Sequence, residues 1–565
     1  MVVLAWVISM CSVGADEGLA GHWPLIEDCQ DVSGNENHAE NHGVQFADGA
    51  AVFDGRGAYL EIPHADALAF GTGDFSVTAW VHTEKELADT LGDIAAKFDP
   101  VTRTGFHLGL QNFSGVTSAQ PNRRHLQFGI DAGTEGGTWT DCGRVGNAVF
   151  VMALCVHDGQ LYAGTCEPGA DESGHVHRYD GGTTWTDCGS PDASNSVYTL
   201  AVFDGELYAG TGRYRLEGSA LPHSPNENPG GNVFRYRGGT DWEFCGRLSD
   251  SDTAHAMAVY NGDLYAIPAY HKGVYRYAGG TTWDSCGIPG DTVGPMFGET
   301  NSTIGCRLIS LVVHDGHLYG AGNGRDQGIF RYEGGENWTN VGKPSGVDQV
   351  YSFMQYGGKL YTGTWPNAEV FRYDGGDLWT SCGRLGEELE VMAMAMYNGS
   401  LYAGSLPLAQ VYRYDGGTTW TPTGRLDHTP DVKYRRAWSM AVFQGKLFCG
   451  TLPSGHVHAF ETGACVTYDH ALLPGWRHIA AVRDGDHLRL YIDGRVAAES
   501  GGPLWRSRPR LRTPPESETV PLDLSCQQPL RIGLGTHDYF NGRLRDFRVY
   551  ARALNPEDVA KLAQQ

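Results

Sequence analysis

Asp180-Gly-Gly-Thr-Thr-Trp185 and Asp415-Gly-Gly-Thr-Thr-Trp420 are two copies of one short string, and that string decides the fold. Reduced to Gly-Gly-x-x-Trp, it recurs with tryptophans at 185, 242, 283, 338, 379 and 420, and one residue shorter at 139. Subtracting successive positions gives 46, 57, 41, 55, 41 and 41 residues, so the unit is 41 residues long and three units carry insertions. A fixed period near 40 residues marks a repeat architecture.

Working outward from the tryptophan, each unit reads alike. The apolar run Val197–Phe203 meets the turn signal Asp204-Gly205, then a second run, Leu207–Gly210, a variable loop, the run Val233–Tyr236, Gly238-Gly239, and a strand holding Trp242. Asp-Gly between apolar runs is a strong hairpin signal, and four short strands per unit is the pattern of a β-propeller blade. First strands fall near Met152, Tyr198, His255, Ile309, Tyr351, Met392 and Trp438, which predicts seven blades. The last unit has a third strand at His456–Phe460 and no fourth. Thr138–Gly143, ahead of the first unit, is expected to supply it and so remove the open edges.

Several copies resemble the Asp-box, Asp-x-Gly-x-Thr-Trp, of sialidase-like propellers, with a decayed copy at Asp374–Trp379 and without the usual Ser two places before the Asp. In that family the box is a structural turn, so the resemblance implies fold and not chemistry. The flanks resemble the laminin-G-like, concanavalin A-like jelly roll. Carrying this likeness are Phe53-Asp-Gly-Arg-Gly-Ala-Tyr59-Leu-Glu-Ile62, Gly73-Asp-Phe-Ser-Val-Thr-Ala-Trp80-Val81, Trp476-Arg-His-Ile-Ala-Ala-Val482, Leu488-Arg-Leu-Tyr-Ile-Asp-Gly494 and Tyr539-Phe-Asn-Gly-Arg-Leu-Arg-Asp-Phe-Arg-Val-Tyr550. A short closing helix follows, with Asn555 as its cap and Pro556 in its first turn. Neither flank alone would bury its sheet faces, so the two are expected to pair across the insertion. The expected fold is all-β: a β-sandwich jelly roll with an inserted seven-bladed β-propeller. Its boundaries are a signal peptide over 1–15, the first half of the jelly roll over 16–133, the propeller over 134–463 and the second half over 464–565.

Composition agrees. The 78 glycines suit many tight turns, and the formal net charge of −24 argues against nucleic acid as a partner and requires a locally basic site for any anionic ligand. Beyond the N-terminus no apolar run is long enough to span a membrane. Val2–Val13, followed by Gly14-Ala15-Asp16, reads as a secretory segment despite its missing basic start, which places the protein in a periplasmic or extracellular setting. The jelly-roll resemblance implies carbohydrate binding and a structural Ca²⁺. The matching positions are Asp31 and Asn35 in an acidic loop and Asp546 in the last strand pair, and hard oxygen ligands suit that ion.

Turn lengths distinguish the two propeller faces. Loops after the second strand and into the first vary in length, share one face, and are where binding groups concentrate. On that face fall Arg213, Tyr214, Arg215 and His223; Tyr270, His271 and Lys272; Arg307; Asn323, Arg325 and Asp326; Trp365; and Lys433, Tyr434, Arg435 and Arg436. Arg forks suit carboxylates and sulfates, and aromatic faces suit sugar rings. Solvated loop charges are the bland alternative. In the aligned first strands, Tyr198, His255, Tyr351 and Trp438 are expected to ring the channel mouth on this face. Either they plug the channel, or Tyr198, His255, Tyr270 and His271 move protons while Arg213, Tyr214, Arg215, Lys272, Arg307, Arg325, Tyr351, Trp365, Arg435 and Trp438 bind substrate.

Cys142, Cys188, Cys245, Cys286 and Cys382 occupy one repeated slot in different units and read as small core residues, while Cys29, Cys465 and Cys526 are candidates for disulfides in a secreted chain. His175-Val-His177 and His456-Val-His458 read as structural. Three functions remain open: recognition of an acidic polysaccharide, a polysaccharide lyase or glycoside hydrolase acting on such a glycan, and a protein-interaction scaffold.

Overall fold

A computed structural model describes residues 17–112, 116, 118, 120–133, 136–268, 273–290, 292–293, 303–304, 307–322, 328–485, 487–500 and 521–565. The chain is almost wholly β. Its repeats form propeller-like blades, and its flanking strands form a two-sheet sandwich.

Within a repeat the strands run antiparallel, as in Ser196–Phe203, Glu206–Gly212, Asn232–Gly238 and Asp241–Arg247. The first hairpin turns at Asp204 and Gly205, whose φ angles of 52° and 79° are both left-handed. That geometry matches strand twist and suits Asp-Gly. The Gly-Gly-x-x-Trp string builds the second hairpin. Tyr236 donates its hydroxyl to the turn carbonyl of Gly239 at 3.0 Å, and Trp242 packs on Tyr236 with ring centroids 4.9 Å apart. The indole then reaches the preceding repeat, where Trp242 Nε1 donates to the Cys188 carbonyl at 2.9 Å. Trp185, Trp283, Trp338 and Trp420 make the same bond to the carbonyls of Cys142, Cys245, Cys286 and Cys382. The repeated cysteine slot is therefore the buried acceptor of a clamp between neighbouring repeats.

Five of the sheets have four strands each: Ala256–Ser285, Leu308–Asn340, Gln349–Arg384, Glu390–Arg425, and Arg436–Glu461 completed by Thr138–Arg144. An eight-stranded sheet spans Phe150–Arg247, its two four-strand sets joined by the single pair Cys166–Ser196. Thr138–Arg144 pairs antiparallel with His456–Glu461. The innermost strands touch in sequence, and Phe150–His157 meets Arg436–Phe443 to close the circle.

Two larger sheets draw strands from both ends of the chain. One runs Gln45–Ala47, Ala50–Asp54, Asn541–Tyr550, Phe75–Thr83, Gly475–Asp484, His487–Ile492 and Arg495–Glu499, with Leu19–Trp23 also on Asn541–Tyr550. The other runs Glu40–His42, Tyr59–Ile62, Leu530–Ile532, Gly92–Asp99, Thr104–Asn112, Arg123–Ala132 and Ala464–Tyr468. Between them lies one core, built on Trp23, Phe75, Phe106, Phe128, Ile479 and Phe547. Alternation along each strand assigns the faces: Phe106, Leu108 and Leu110 enter this core, while His107, Gly109 and Gln111 point away. The helix Pro556–Leu562, capped by Asn555 Oδ1 accepting from Asp558 N at 2.9 Å, seals Ala480, Val482 and Tyr550 on the outer face of the first sheet.

The second sheet meets the propeller through the first-hairpin turns. His107 Nε2 lies 3.2 Å from Asn398 Oδ1, Asn398 Nδ2 donates to the carbonyls of Ile130 and Thr462, Gly357 N donates to Thr536 O, and Gly159 N donates to Asp469 O. Between Asn112 and Arg123, the described residues reach the inner strands of the ring. Ser118 Oγ accepts from Leu200 N, Gln120 exchanges two bonds with the backbone of Val259 (2.9 and 3.0 Å), and Pro121 O accepts from Val156 N. Asn122 does the same as Gln120 with Val442, at 2.8 and 2.6 Å. A loop of the sandwich thus plugs the propeller axis, bonded to inner strands on several sides.

Candidate functional site

The axial side chains are aimed by a repeated irregularity. Pairing between first and second strands slips at Met152, Tyr198, Ile309, Tyr351 and Trp438, each an extra residue in its strand. Such β-bulges re-aim a side chain. His255 sits just before its strand, its N–H bonded to Ile267 O at 2.7 Å.

These side chains do gather. Tyr198 and His255 have ring centroids 5.1 Å apart, Tyr351 and Trp438 6.1 Å, and Trp438 Nε1 donates to Met152 O at 3.0 Å. Met152, Tyr198, Met392 and Trp438 form one apolar cluster that takes Val116 from the axial plug and Tyr214 and Leu216 from the insertion after Gly212. The sequence left open whether this ring lines a pocket or plugs the channel; here the ring is covered. Tyr198 is 1% exposed, and His255 and Trp438 are each 3% exposed. The insertion folds inward because Tyr214, Leu216 and Leu221 need burial. It is pinned there by Asn195, which exchanges two bonds with the Tyr214 backbone, and by Arg436, whose guanidinium reaches Tyr214 Oη at 3.5 Å and Gly218 O at 3.2 Å.

Two positions before each axial residue lies a second tier: Phe150, Ser196, Thr253, Arg307, Gln349, Glu390 and Arg436. Glu390, 3% exposed, escaped the sequence reading. Burial pushes its carboxyl up to about 8, offset in part by Arg436, so it is protonated at neutral pH. Burial and then Arg307 depress His255 to about 3, leaving a neutral imidazole. Neither of its ring nitrogens meets hydrogen-bond geometry with a described residue, although the Ile309 backbone favours the charged form slightly. Burial, followed by Glu390, raises the Tyr351 hydroxyl. The tier could have been found by stepping two residues back from the axial register, since side chains two apart share a strand face.

The rim around this core stays accessible. Tyr351, Trp365 and Tyr434 are half-buried and pack against the axial cluster. Lys433 lies over the Tyr434 ring at 4.8 Å, and Arg435 Nε donates to Thr429 O at 2.7 Å. Arg213 pairs with Glu227 at 3.2 Å, Arg215 lies 4.0 Å from Asp252, and His223 contacts Glu217. Tyr270, His271, Lys272, Asn323, Arg325 and Asp326 lie outside the described residues, as does the 1–15 segment.

The expected calcium ligands are engaged otherwise. Asp31 accepts from the backbone N–H groups of His22, Ser33 and Asn37 and from Ser33 Oγ. Asn35 turns its amide nitrogen to the carbonyls of Leu19 and Ala20, and Asp546 pairs with His22 and Arg548. No group of three or more His, Cys, Asp or Glu side chains arranged to hold a metal occurs among the described residues. Cys29, Cys465 and Cys526 are free thiols. His175 bonds to Asp187 across its hairpin, and His456 bonds to Asp141 on the paired strand Thr138–Arg144. The seam between sandwich and propeller holds a cavity of about 10 Å³ lined by Asp93, His107, Gln111 and Asn398, far too small for a sugar.

The family model of the concanavalin A-like lectin/glucanases superfamily, Laminin_G_3, matches residues 444–560, which supply the C-terminal strands of both large sheets. No curated protein matches the chain. Among solved structures, a catalytically inactive virginiamycin B lyase from Staphylococcus aureus aligns at 11% identity over 57% of this chain and 99% of its own, with a TM-score of 0.41. The WD40 β-propeller domain of Doa1 aligns at 11% identity over 57% and 97%, with a TM-score of 0.37. The sialidase of Trypanosoma rangeli aligns at 11% identity over 74% and 94%, with a TM-score of 0.27.

Proposed function

We propose that this chain is a secreted carbohydrate-recognition protein. On this reading a jelly roll, split into 16–133 and 464–565, carries a seven-bladed propeller with Asp-box-like turns over 134–463. The count of seven is supported by treating the eight-stranded sheet, joined only through Cys166 and Ser196, as two blades. The observation that carries the function is the rim: Tyr351, Trp365 and Tyr434 keep part of their surface in solvent while their inner edges rest on the buried axial cluster. Rigid aromatic faces on a fixed floor suit a pyranose ring, and Arg213, Arg215 and Arg435 nearby suit an acidic one. The family match over 444–560 adds a carbohydrate-binding fold as its carrier.

A glycan array is expected to return uronate-bearing polysaccharides. Trp365→Ala and Tyr434→Ala should each weaken that signal about tenfold while the protein remains folded at the assay temperature; unchanged binding by both variants would refute the rim. Repeating the array with a chelator tests the structural Ca²⁺, which would require Asp31, Asn35 and Asp546 to exchange their present partners.

A second reading, an acidic-glycan lyase or hydrolase, is favoured by Glu390. A protonated carboxyl beside Arg436, near Tyr351, is a proton donor next to a cation able to neutralise a uronate. It requires the Tyr214–Gly231 segment to lift.

A further inference from the structure

We infer that the outer face of the eight-stranded sandwich sheet carries a second glycan-binding surface, built on Trp80, Trp476 and Arg545 and suited to a carboxylate-bearing sugar. The propeller occupies the other sheet, so this face is not used by the docking described above.

Three neighbouring strands, Asn541–Tyr550, Phe75–Thr83 and Gly475–Asp484, place their outward residues in rows. Arg545 stands opposite Trp80, and Trp80 opposite His478; one step along, Arg543 stands opposite His82, and His82 opposite Trp476. Inward neighbours Val81, Ile479 and Leu544 lie in the sandwich core, which fixes the outward direction of the other set. The helix Pro556–Leu562 seals the far end of this face at Ala480 and Val482 and leaves the two rows uncovered by it. Trp80, His82, Trp476, Arg543 and Arg545 are all half-buried.

Arg545 sits between the indoles, its guanidinium carbon 4.6 Å from the Trp476 ring centroid and 5.4 Å from that of Trp80. It has no ion pair or hydrogen bond with any described residue. Its neighbours are engaged: Arg543 with Asp48 at 3.2 Å, and His82 with Glu84 at 3.7 Å. One unpaired, stacked guanidinium is therefore held on an aromatic floor, in a protein whose net charge is −24. Stacking orients the fork in advance, so little side-chain freedom is lost when a carboxylate docks. Indole faces on either side offer the apolar surface on which a pyranose lies. A uronate chain, with a carboxylate on each ring, fits both features; a neutral glucan would leave the guanidinium unanswered.

The test uses the full chain and polygalacturonate, measured by affinity electrophoresis, with the fully methyl-esterified polymer as a neutral control of the same backbone. To isolate this surface from the rim, all variants are made on a Trp365→Ala/Tyr434→Ala background. We expect that background to bind more weakly than the unsubstituted chain but still measurably, Trp476→Ala and Arg545→Gln each to weaken this remaining binding at least tenfold with unchanged melting temperature, and the esterified polymer to bind at least tenfold more weakly. Arg545→Lys, which keeps the charge without the planar fork, should recover only part of the loss. Retained binding in both Trp476→Ala and Arg545→Gln, equal binding of the esterified polymer, or no binding by the background protein would each overturn the inference. Because the background already lacks the rim aromatics, the last result leaves the rim reading to its own variants.

Discussion

Asn122→Ala should destabilise the protein by about 2–6 kcal/mol, as read from urea denaturation midpoints. The side chain of Asn122 bonds both the N–H and the carbonyl of Val442 in the propeller axis, and it is fully buried. Removing it leaves two buried backbone groups without partners, each worth roughly 1–3 kcal/mol. The loss should also loosen the plug, because the neighbouring Gln120 and Ser118 hold the same segment to Val259 and Leu200. Amide exchange in Arg436–Phe443 should then speed up more than in the Gly475–Asp484 strand, which lies in the sandwich. A loss under about 1 kcal/mol would mean that the axial loop is not a structural plug.

Stability should also fall as pH rises, because of carboxyls buried at the seam. Asp93 is 3% exposed, and burial raises its carboxyl to about 7 despite a bond from His537 N at 2.8 Å. Asp89 and Asp538 are likewise raised, by burial and then, for Asp89, by the charge of Asp538. The folded state therefore holds protons that the unfolded chain releases near pH 4. The contribution of Asp93 is complete below the unfolded value and is lost as pH climbs through about 7. A shift of this size corresponds to on the order of 4 kcal/mol. Asp93→Asn, which keeps an acceptor for His537 N without the charge, should be close to neutral at pH 4 and stabilising at pH 8. Melting curves across that range check it, and a variant equally affected at both pH values would refute the burial argument.

The repeats were legible because their turns demand particular residues. Asp-Gly, Asn-Gly and Gly-Gly supply the left-handed φ angles of the first hairpins, with Gln444-Gly445 doing so in the last repeat, and each clamp needs an indole. Pairing of the two flanks followed from their unburied faces. What the sequence hid depends on register. Between the strands ending at Asn112 and starting at Arg123 the sequence reads as an ordinary loop, and nothing in its composition announces that Val116, Ser118 and Gln120 to Asn122 reach the axis. The bulges at Tyr198 and Tyr351 shift the inward face by one residue, which is why the axial ring could be aligned while its burial could not be foreseen. Glu390 was missed because its neighbours Glu387 and Glu388 make it look like part of a solvated run. Trp80, Trp476 and Arg545 were each visible in jelly-roll motifs, but their meeting requires strands from opposite ends of the chain to lie side by side.

Polysaccharide contact at the propeller rim can be read most directly by hydrogen exchange on the intact protein with and without polygalacturonate. A ligand seated on Tyr351, Trp365 and Tyr434 should slow exchange in residues 349–365 and 429–438. Exchange unchanged in both segments at saturating polymer would contradict the assignment of that rim as a glycan site.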